Sequence, residues 1–145
     1  MNTTGAAIAS AVVFVWLGMV LAISFLEAPL KFRAPGVTVP IGLGIGRLVF
    51  RALNLAEAVW AAVLIAVVAA EGPPTGVVVL TVCVVALLAV QLGLVRPLLN
   101  RRSDRVPAGE TGEDAPRSRA HLYYVALEIL KVVGLIALGV SVLTR

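Results

Sequence analysis

The sequence predicts an all-α membrane protein in which four transmembrane helices form a bundle within a single domain, residues 1–145. The first observation is compositional: 60% of the residues are hydrophobic and only 14% are charged, whereas soluble domains carry roughly 25% charged residues. The second is the length of the apolar runs, since a helix needs about 20 such residues to cross the bilayer core. Four runs meet this requirement, at about residues 6–26, 48–70, 76–95 and 120–143.

The distribution of basic residues predicts how these spans are oriented in the cell membrane. Only Lys131 and Arg145 lie outside the first and third connections and the helix ends beside them. Connections rich in Lys and Arg stay on the cytoplasmic side, so both termini and the short turn Glu71–Thr75 are expected outside the cell. The basic side chains are also expected to contact anionic lipid headgroups. This accounts for a pI near 10.0 without nucleic acid as a partner.

The two cytoplasmic connections are expected to differ in structure. Residues 27–46 are predicted to form an interfacial segment, because Pro29 disfavours continuation of the first helix and irregular backbone cannot face lipid inside the hydrocarbon region. Residues 96–119 mix arginines with acidic residues and are predicted to form a mobile loop. The charged side chains assigned to the interface are Glu27, Lys31, Arg33 and Arg47.

A weak repeat relates the two halves of the chain. The pattern Leu-x-x-Pro-Leu occurs at 26–30 and again at 94–98, so the two prolines are 68 residues apart (97 − 29). Glu57 and Glu128, each followed by Leu-Ile-Ala seven residues later, are 71 residues apart (128 − 57). These offsets indicate two helix hairpins that would be parallel repeats about an axis along the membrane normal.

Ionisable side chains within the spans mark the candidate site. Each costs about 2.5–3.5 kcal/mol at the bilayer centre and usually faces the bundle interior or a cavity. At about 100° per residue, the second and fourth spans each carry a polar stripe that starts at the cytoplasmic end. We expect the two stripes to face one another: Arg47, Arg51, Asn54 and Glu57 on the second span, and His121, Tyr124, Glu128 and Lys131 on the fourth.

Three interpretations of this charge network stay open. In the first, the carboxylates neutralise Arg51 and Lys131, fix helix register, and hold the bundle or scaffold a complex without doing chemistry. In the second, the two carboxylates share a proton or small cation, which they bind or move. In the third, Glu57, His121 and Glu128 bind a metal, or the protein is a quinone-linked redox component of the membrane.

The remaining residues give no sign of an enzyme. There is no Ser-His-Asp arrangement, no P-loop and no hydrolase elbow. The single cysteine, Cys83, excludes an intramolecular disulfide, and the single histidine excludes a bis-His haem within one protomer. No cofactor is therefore expected, while self-association or membership of a larger membrane complex stays open. Trp16 is predicted to pack in the bundle, and Thr81 and Gln91 to form interhelical hydrogen bonds.

Three stretches carry a family resemblance: Trp16-x-Gly18, SFLEAPLKF at residues 24–32, and GIGRLVFRALNLAE at residues 44–57. Together they resemble small uncharacterised four-span bacterial integral membrane proteins. More distantly, they are similar to the eukaryotic transmembrane-protein family linked to cisplatin tolerance. The resemblance covers about the first 60 residues. It implies a four-span fold and assigns no reaction and no role to any residue.

Overall fold

The computed structural model describes residues 1–95 and 119–144. Four helices are long and apolar enough to cross a membrane, and no strand occurs in the described ranges. This confirms the predicted all-α four-helix fold. The predicted loop 96–119 lies outside the described residues, except for Arg119. The main helices are α1 (Thr3–Val20), α2 (Val39–Glu71), α3 (Thr75–Val90) and α4 (Arg119–Leu143).

The helices run alternately up and down the bundle. Helix α1 packs against α2 and α4, and α3 packs against the same two helices, so α2 and α4 lie diagonally opposite each other. We call the end that holds Asn2 and Glu71 the terminus end, and the opposite end the loop end. At the terminus end the Asn2 N–H donates to Glu71 Oε2 at 2.9 Å, and Asn2 Nδ2 donates to Glu71 Oε1 at 3.1 Å. These bonds fix the start of α1 to the end of α2.

The first span does not end at Pro29, contrary to the sequence-based prediction. A π-helical segment, Leu21–Glu27, follows α1 directly, and short helical turns continue to Arg33. In an α-helix the proline ring would clash with the carbonyl four residues earlier. The π-helical segment changes the register just before the proline, because the Ala28 N–H bonds to the Ile23 carbonyl five residues back. Such an insertion lets a helix accommodate a residue that would otherwise end it.

Much of the predicted interfacial segment 27–46 is also helical, since α2 begins at Val39 rather than near residue 48. The Thr38 hydroxyl accepts the Ile41 N–H at 3.4 Å as an N-cap. Pro40 stands in the first turn of α2, where a missing N–H costs nothing. The bend between the two helices is confined to the residues around Gly36, whose φ of 81° favours glycine.

Two glycines of this segment form a close contact instead of a flexible loop. Gly42 and Gly46 are buried one turn apart on α2, and a β-carbon at Gly42 would overlap the ring of Phe32. The Lys31 ammonium lies beside Gly46. Small residues at this spacing allow close approach between membrane helices. The two glycines therefore let the end of the first span pack closely against the start of α2.

The predicted repeat agrees with the pattern of burial, although it stays a prediction. A second π-helical segment, Gln91–Val95, follows α3 and overlaps the first two residues of the second Leu-x-x-Pro-Leu sequence, as Leu21–Glu27 overlaps the first. Several residue pairs at the two offsets are both buried. At 68 residues these are Ala9 and Val77, Val13 and Thr81, Trp16 and Val84, and Val20 and Leu88; at 71 residues they are Leu53 and Tyr124, Glu57 and Glu128, and Leu64 and Leu135.

Candidate functional site

A buried ammonium group stands at the centre of the bundle. Lys131 Nζ lies 2.5 Å from Glu57 Oε2, 2.6 Å from Glu128 Oε1 and 2.8 Å from Gln91 Oε1. An ammonium has three N–H donors, so it faces one oxygen for each. Lys131 and Glu57 are 0% exposed, and Glu128 and Gln91 are each 1% exposed. We call these four residues the central cluster.

Neighbouring groups extend the central cluster to every helix of the bundle. Trp16 Nε1 on α1 donates to Glu57 Oε2 at 2.7 Å. Ser24, in the π-helical segment after α1, donates from Oγ to Glu128 Oε2 at 3.1 Å. Gln91 Nε2 donates to the Tyr124 carbonyl at 3.4 Å. All four helices, or the segments that continue them, therefore contribute a side chain to one connected polar network.

The cluster lies deep within the spans, far from the terminus end. Trp16, Glu57, Gln91 and Lys131 stand 12 to 16 residues from the terminus end of their helices. At 1.5 Å per residue this is about 18–24 Å, which exceeds half of a hydrocarbon core about 30 Å thick. The polar network is thus deep within the spans.

The charges of the central cluster do not balance. Among the described residues, Lys131 is the only cation that forms an ion pair with Glu57 or Glu128. Two ionised carboxylates and one ammonium would leave a net charge of −1 in a low-dielectric interior, where each uncompensated ion costs several kcal/mol. The excess charge therefore requires a further positive charge.

The two carboxylates have different surroundings. Glu128 Oε1 lies 2.6 Å from the ammonium in an ion pair without hydrogen-bond geometry, and Oε2 accepts from the Ser24 hydroxyl. Glu57 receives both of its donors at Oε2, and its Oε1 is buried without a hydrogen-bond partner in the described part of the chain. An unpartnered buried oxygen is costly if it is charged. Glu57 is therefore the carboxylate on which a neutralising group would be expected.

The structure brings together three of the predicted network residues and leaves two outside. Glu57, Glu128 and Lys131 meet, although α2 and α4 are diagonal rather than adjacent. Arg51 is exposed and Asn54 is half-buried, and neither belongs to the central cluster. Of the two cations that the first interpretation assigned to the carboxylates, only Lys131 contacts them in the described part of the chain. Arg51 stands about 9 Å closer to the loop end, where its long side chain can reach water.

The residues assigned to the interface gather at the loop end. Lys31 Nζ lies 3.9 Å from Glu27 Oε2, and it stands over the rings of Phe32 and Phe50 at 5.3 and 5.8 Å from their centroids. Arg33 is exposed. Arg47 is half-buried. Lys31 therefore covers aromatic surface with a side chain that is only 10% exposed, and its ammonium pairs with Glu27.

The described part of the chain covers only two of the three predicted metal donors, Glu57 and Glu128, so the predicted metal site stays a prediction. No group of three or more His, Cys, Asp or Glu residues that could hold a metal occurs among the described residues. The side chain of His121 lies outside the described part. The position between Glu57 and Glu128 belongs to the Lys131 ammonium, and a cation bridging both carboxylates would have to displace it.

Three residues of the network were not predicted as site residues: Trp16, Ser24 and Gln91. Trp16 was expected only to pack, yet a buried indole N–H usually requires an acceptor, and that rule was the signal for its bond to Glu57. Ser24 became a partner of Glu128 through the π-helical register, which the sequence does not reveal. Gln91 makes the predicted interhelical contact. Thr81 does not, since its hydroxyl donates to the Val77 carbonyl on its own helix at 2.8 Å.

Comparisons with protein-family models, with curated proteins and with solved structures found no match.

Proposed function

We propose that this chain is a small, non-enzymatic integral protein of the plasma membrane whose central cluster binds one proton reversibly at Glu57. The observation that supports the proposal is the unpartnered Glu57 Oε1 within a buried cluster of two carboxylates and one ammonium. The basic connections support an orientation with the loop end in the cytoplasm and both termini outside.

One proton removes the charge imbalance without breaking a contact. With Glu57 protonated at Oε1, the cluster contains one carboxylic acid, one carboxylate and one ammonium, and its net charge is zero. Glu57 Oε2 still accepts from Trp16 Nε1 and Lys131 Nζ. Glu128 remains the ionised partner, because the ammonium lies 2.6 Å from Oε1 and Oε2 accepts from the Ser24 hydroxyl.

The central cluster contacts every helix, so a change in its charge acts on the whole bundle. The contacts of Glu57 lead to α1 through Trp16 and to α4 through Lys131, and from Lys131 to α3 through Gln91. Loss of the proton would place a net negative charge among all four helices and alter the strength of each contact. The protein can therefore couple proton binding to the packing of its spans.

Difference infrared spectroscopy of the protein in bilayers tests the proposal through the carbonyl stretch of a protonated carboxyl group. We expect one band in the wild type that disappears as the pH is raised. Glu57→Gln, which mimics the neutral acid, should abolish the band. Glu71→Gln makes the same chemical change at the terminus end and should leave the band in place.

Three results would contradict the proposal. The first is the absence of any titrating carboxyl band, which would favour a purely structural ion-pair network. The second is a band that survives Glu57→Gln and is lost in Glu128→Gln, which would move the proton to the other carboxylate. The third is a band that appears only when Na⁺ and K⁺ are withdrawn, which would identify a small cation as the normal occupant.

A further inference from the structure

We infer that the proton on Glu57 exchanges with one side of the membrane only, through the loop end of the bundle. The inference rests on the proposed function and adds to it: the protein would then report the proton activity of one compartment rather than conduct protons across the membrane. It follows from the different composition of the bundle core on the two sides of the central cluster.

On the terminus side the core is a continuous apolar layer. Of the buried polar side chains in the described ranges, only Thr81 lies there, and its hydroxyl is bonded to its own helix. From Lys131 to Val142 along α4 this layer is about 16 Å deep. A hydrated path through it would have to open between side chains that are 0–3% exposed, namely Ala9, Val13, Leu64, Val77, Leu135, Leu138 and Val142.

On the loop side polar groups continue from the cluster toward the surface. The half-buried Ser24 bonds directly to Glu128 Oε2. Glu27 follows in the same π-helical segment, with a side chain 33% exposed and its ion pair to Lys31. Polar atoms thus occur at successive levels between the cluster and the loop end, beginning with one that is bonded to the cluster. On the terminus side the half-buried Ser10 and Ser141 form no bond to the cluster in the described part of the chain.

The contacts describe a relay that balances in protons. A hydroxyl can accept one proton while donating another, so Ser24 can take a proton from the loop side and pass its own to Glu128. Lys131 can then release one of its own protons to Glu57 Oε2 and, as a neutral amine, take the proton from Glu128 after a half-turn of that carboxyl group. One proton has moved to Glu57, and Ser24, Glu128 and Lys131 return to their starting states. A half-turn of the Glu57 carboxyl group exchanges its two oxygens.

Few titratable groups face this path in the described part of the chain. They are Glu57 on α2, and Tyr124, Glu128 and Lys131 on α4. Helix α1 and its π-helical continuation present Trp16 and Ser24, and the segment after α3 presents Gln91. Glu27 and Lys31 stand at the outer end of the path.

Trp16 provides a reporter for the test, because its indole N–H bonds to the carboxyl group that takes the proton. The chain has two tryptophans, so Trp60→Phe leaves Trp16 as the single emitter. Cys83→Ser combined with Thr144→Cys places one thiol at the terminus end. An impermeant thiol reagent then measures the fraction of molecules in sealed vesicles with that end outside. The same protein with Glu57→Gln is the control and should show no response.

The experiment is a rapid acidification of the external buffer, followed by an ionophore that equalises the pH. We expect the immediate change in Trp16 emission to match the fraction of molecules with the loop end outside, and the remainder to appear only after the ionophore. A complete immediate response, or one that matches the fraction with the terminus end outside, would overturn the inference alone. No Glu57-dependent response even after the ionophore would overturn the proposed function, and the inference with it.

Discussion

At the scale of single residues, one ammonium group holds two carboxylates that would otherwise repel each other. Lys131 contacts Glu57 and Glu128 within 2.6 Å, and all three side chains are buried. Removing one partner of a buried ion pair costs more than the pair contributes, because the remaining charge is left without compensation. The cluster therefore depends on Lys131 more than on any other member.

Lys131→Met keeps the apolar stem and removes the charge. We expect it to lower the free energy of unfolding by about 3–5 kcal/mol, measured by reversible unfolding in mixed micelles. The triple variant with Glu57→Gln and Glu128→Gln should regain most of the loss, since no charge is then left buried. A triple variant as unstable as Lys131→Met would mean that the lysine acts by packing and not by charge.

Ser24→Ala tests the first step of the relay. We expect slower proton uptake by severalfold, followed through Trp16 emission in the Trp60→Phe background, because Glu128 loses its hydroxyl donor on the loop side. The loss of stability should be small, about 0.6 kcal/mol for one interhelical hydrogen bond. Ser10→Ala, on the terminus side of the same helix, should leave the rate unchanged. Equal rates in all three proteins would exclude Ser24 from the path.

Residue-level prediction from the sequence succeeded where the cost of burial is large. An ionisable side chain in a span has few acceptable positions, and this constraint is why Glu57, Glu128 and Lys131 could be expected in the bundle interior. Arg51 was expected in the same interior network, but it is exposed, because a long side chain near a helix end can reach water instead. Helical periodicity cannot distinguish between those two outcomes.

At the scale of secondary-structure elements, the loop end depends on close contact between the first span and α2. Gly42 faces the ring of Phe32, whereas Gly44, two residues later on the same helix, has nothing within 4 Å of the place where a β-carbon would stand. Both glycines are therefore helical residues of α2, but only Gly42 has a neighbouring side chain in close contact. They form a matched pair for testing the contact.

Gly44→Ala should leave stability unchanged or raise it by up to about 1 kcal/mol, because alanine loses less backbone entropy in a helix. Gly42→Ala should instead lower stability by about 1–3 kcal/mol, since the new methyl group forces the Phe32 ring to move. Unfolding in mixed micelles compares the two. Similar values for both variants would show that Phe32 does not rest on α2.

Element boundaries were predicted less well than the elements themselves, and for a physical reason. The apolar runs fixed four spans, since nothing else can bury that much apolar surface in so short a chain. The ends of the first two spans were misplaced at Pro29 and at the glycines of residues 42–46. Proline and glycine usually interrupt helices in water, but inside a packed bundle a π-helical turn or a close neighbour makes them compatible with helix.

At the scale of the whole molecule, the charge distribution is a prediction about topology that can be tested directly. In a Cys83→Ser background, Thr144→Cys should react with an impermeant thiol reagent on intact cells, because the basic connections keep the loop end inside. Arg33→Cys, an exposed position at the loop end, should react only after the cells are permeabilised. The reverse pattern, or labelling of both positions on intact cells, would contradict a single orientation.

The length of α2 affects how the protein responds to the thickness of the bilayer. Its 33 residues extend about 50 Å, well beyond a hydrocarbon layer about 30 Å thick. The far ends are fastened, by Asn2 to Glu71 at one end and by Phe32 over Gly42 at the other. The helix therefore meets a change in membrane thickness by tilting together with its neighbours, and lipid chain length becomes a variable that acts on the whole bundle.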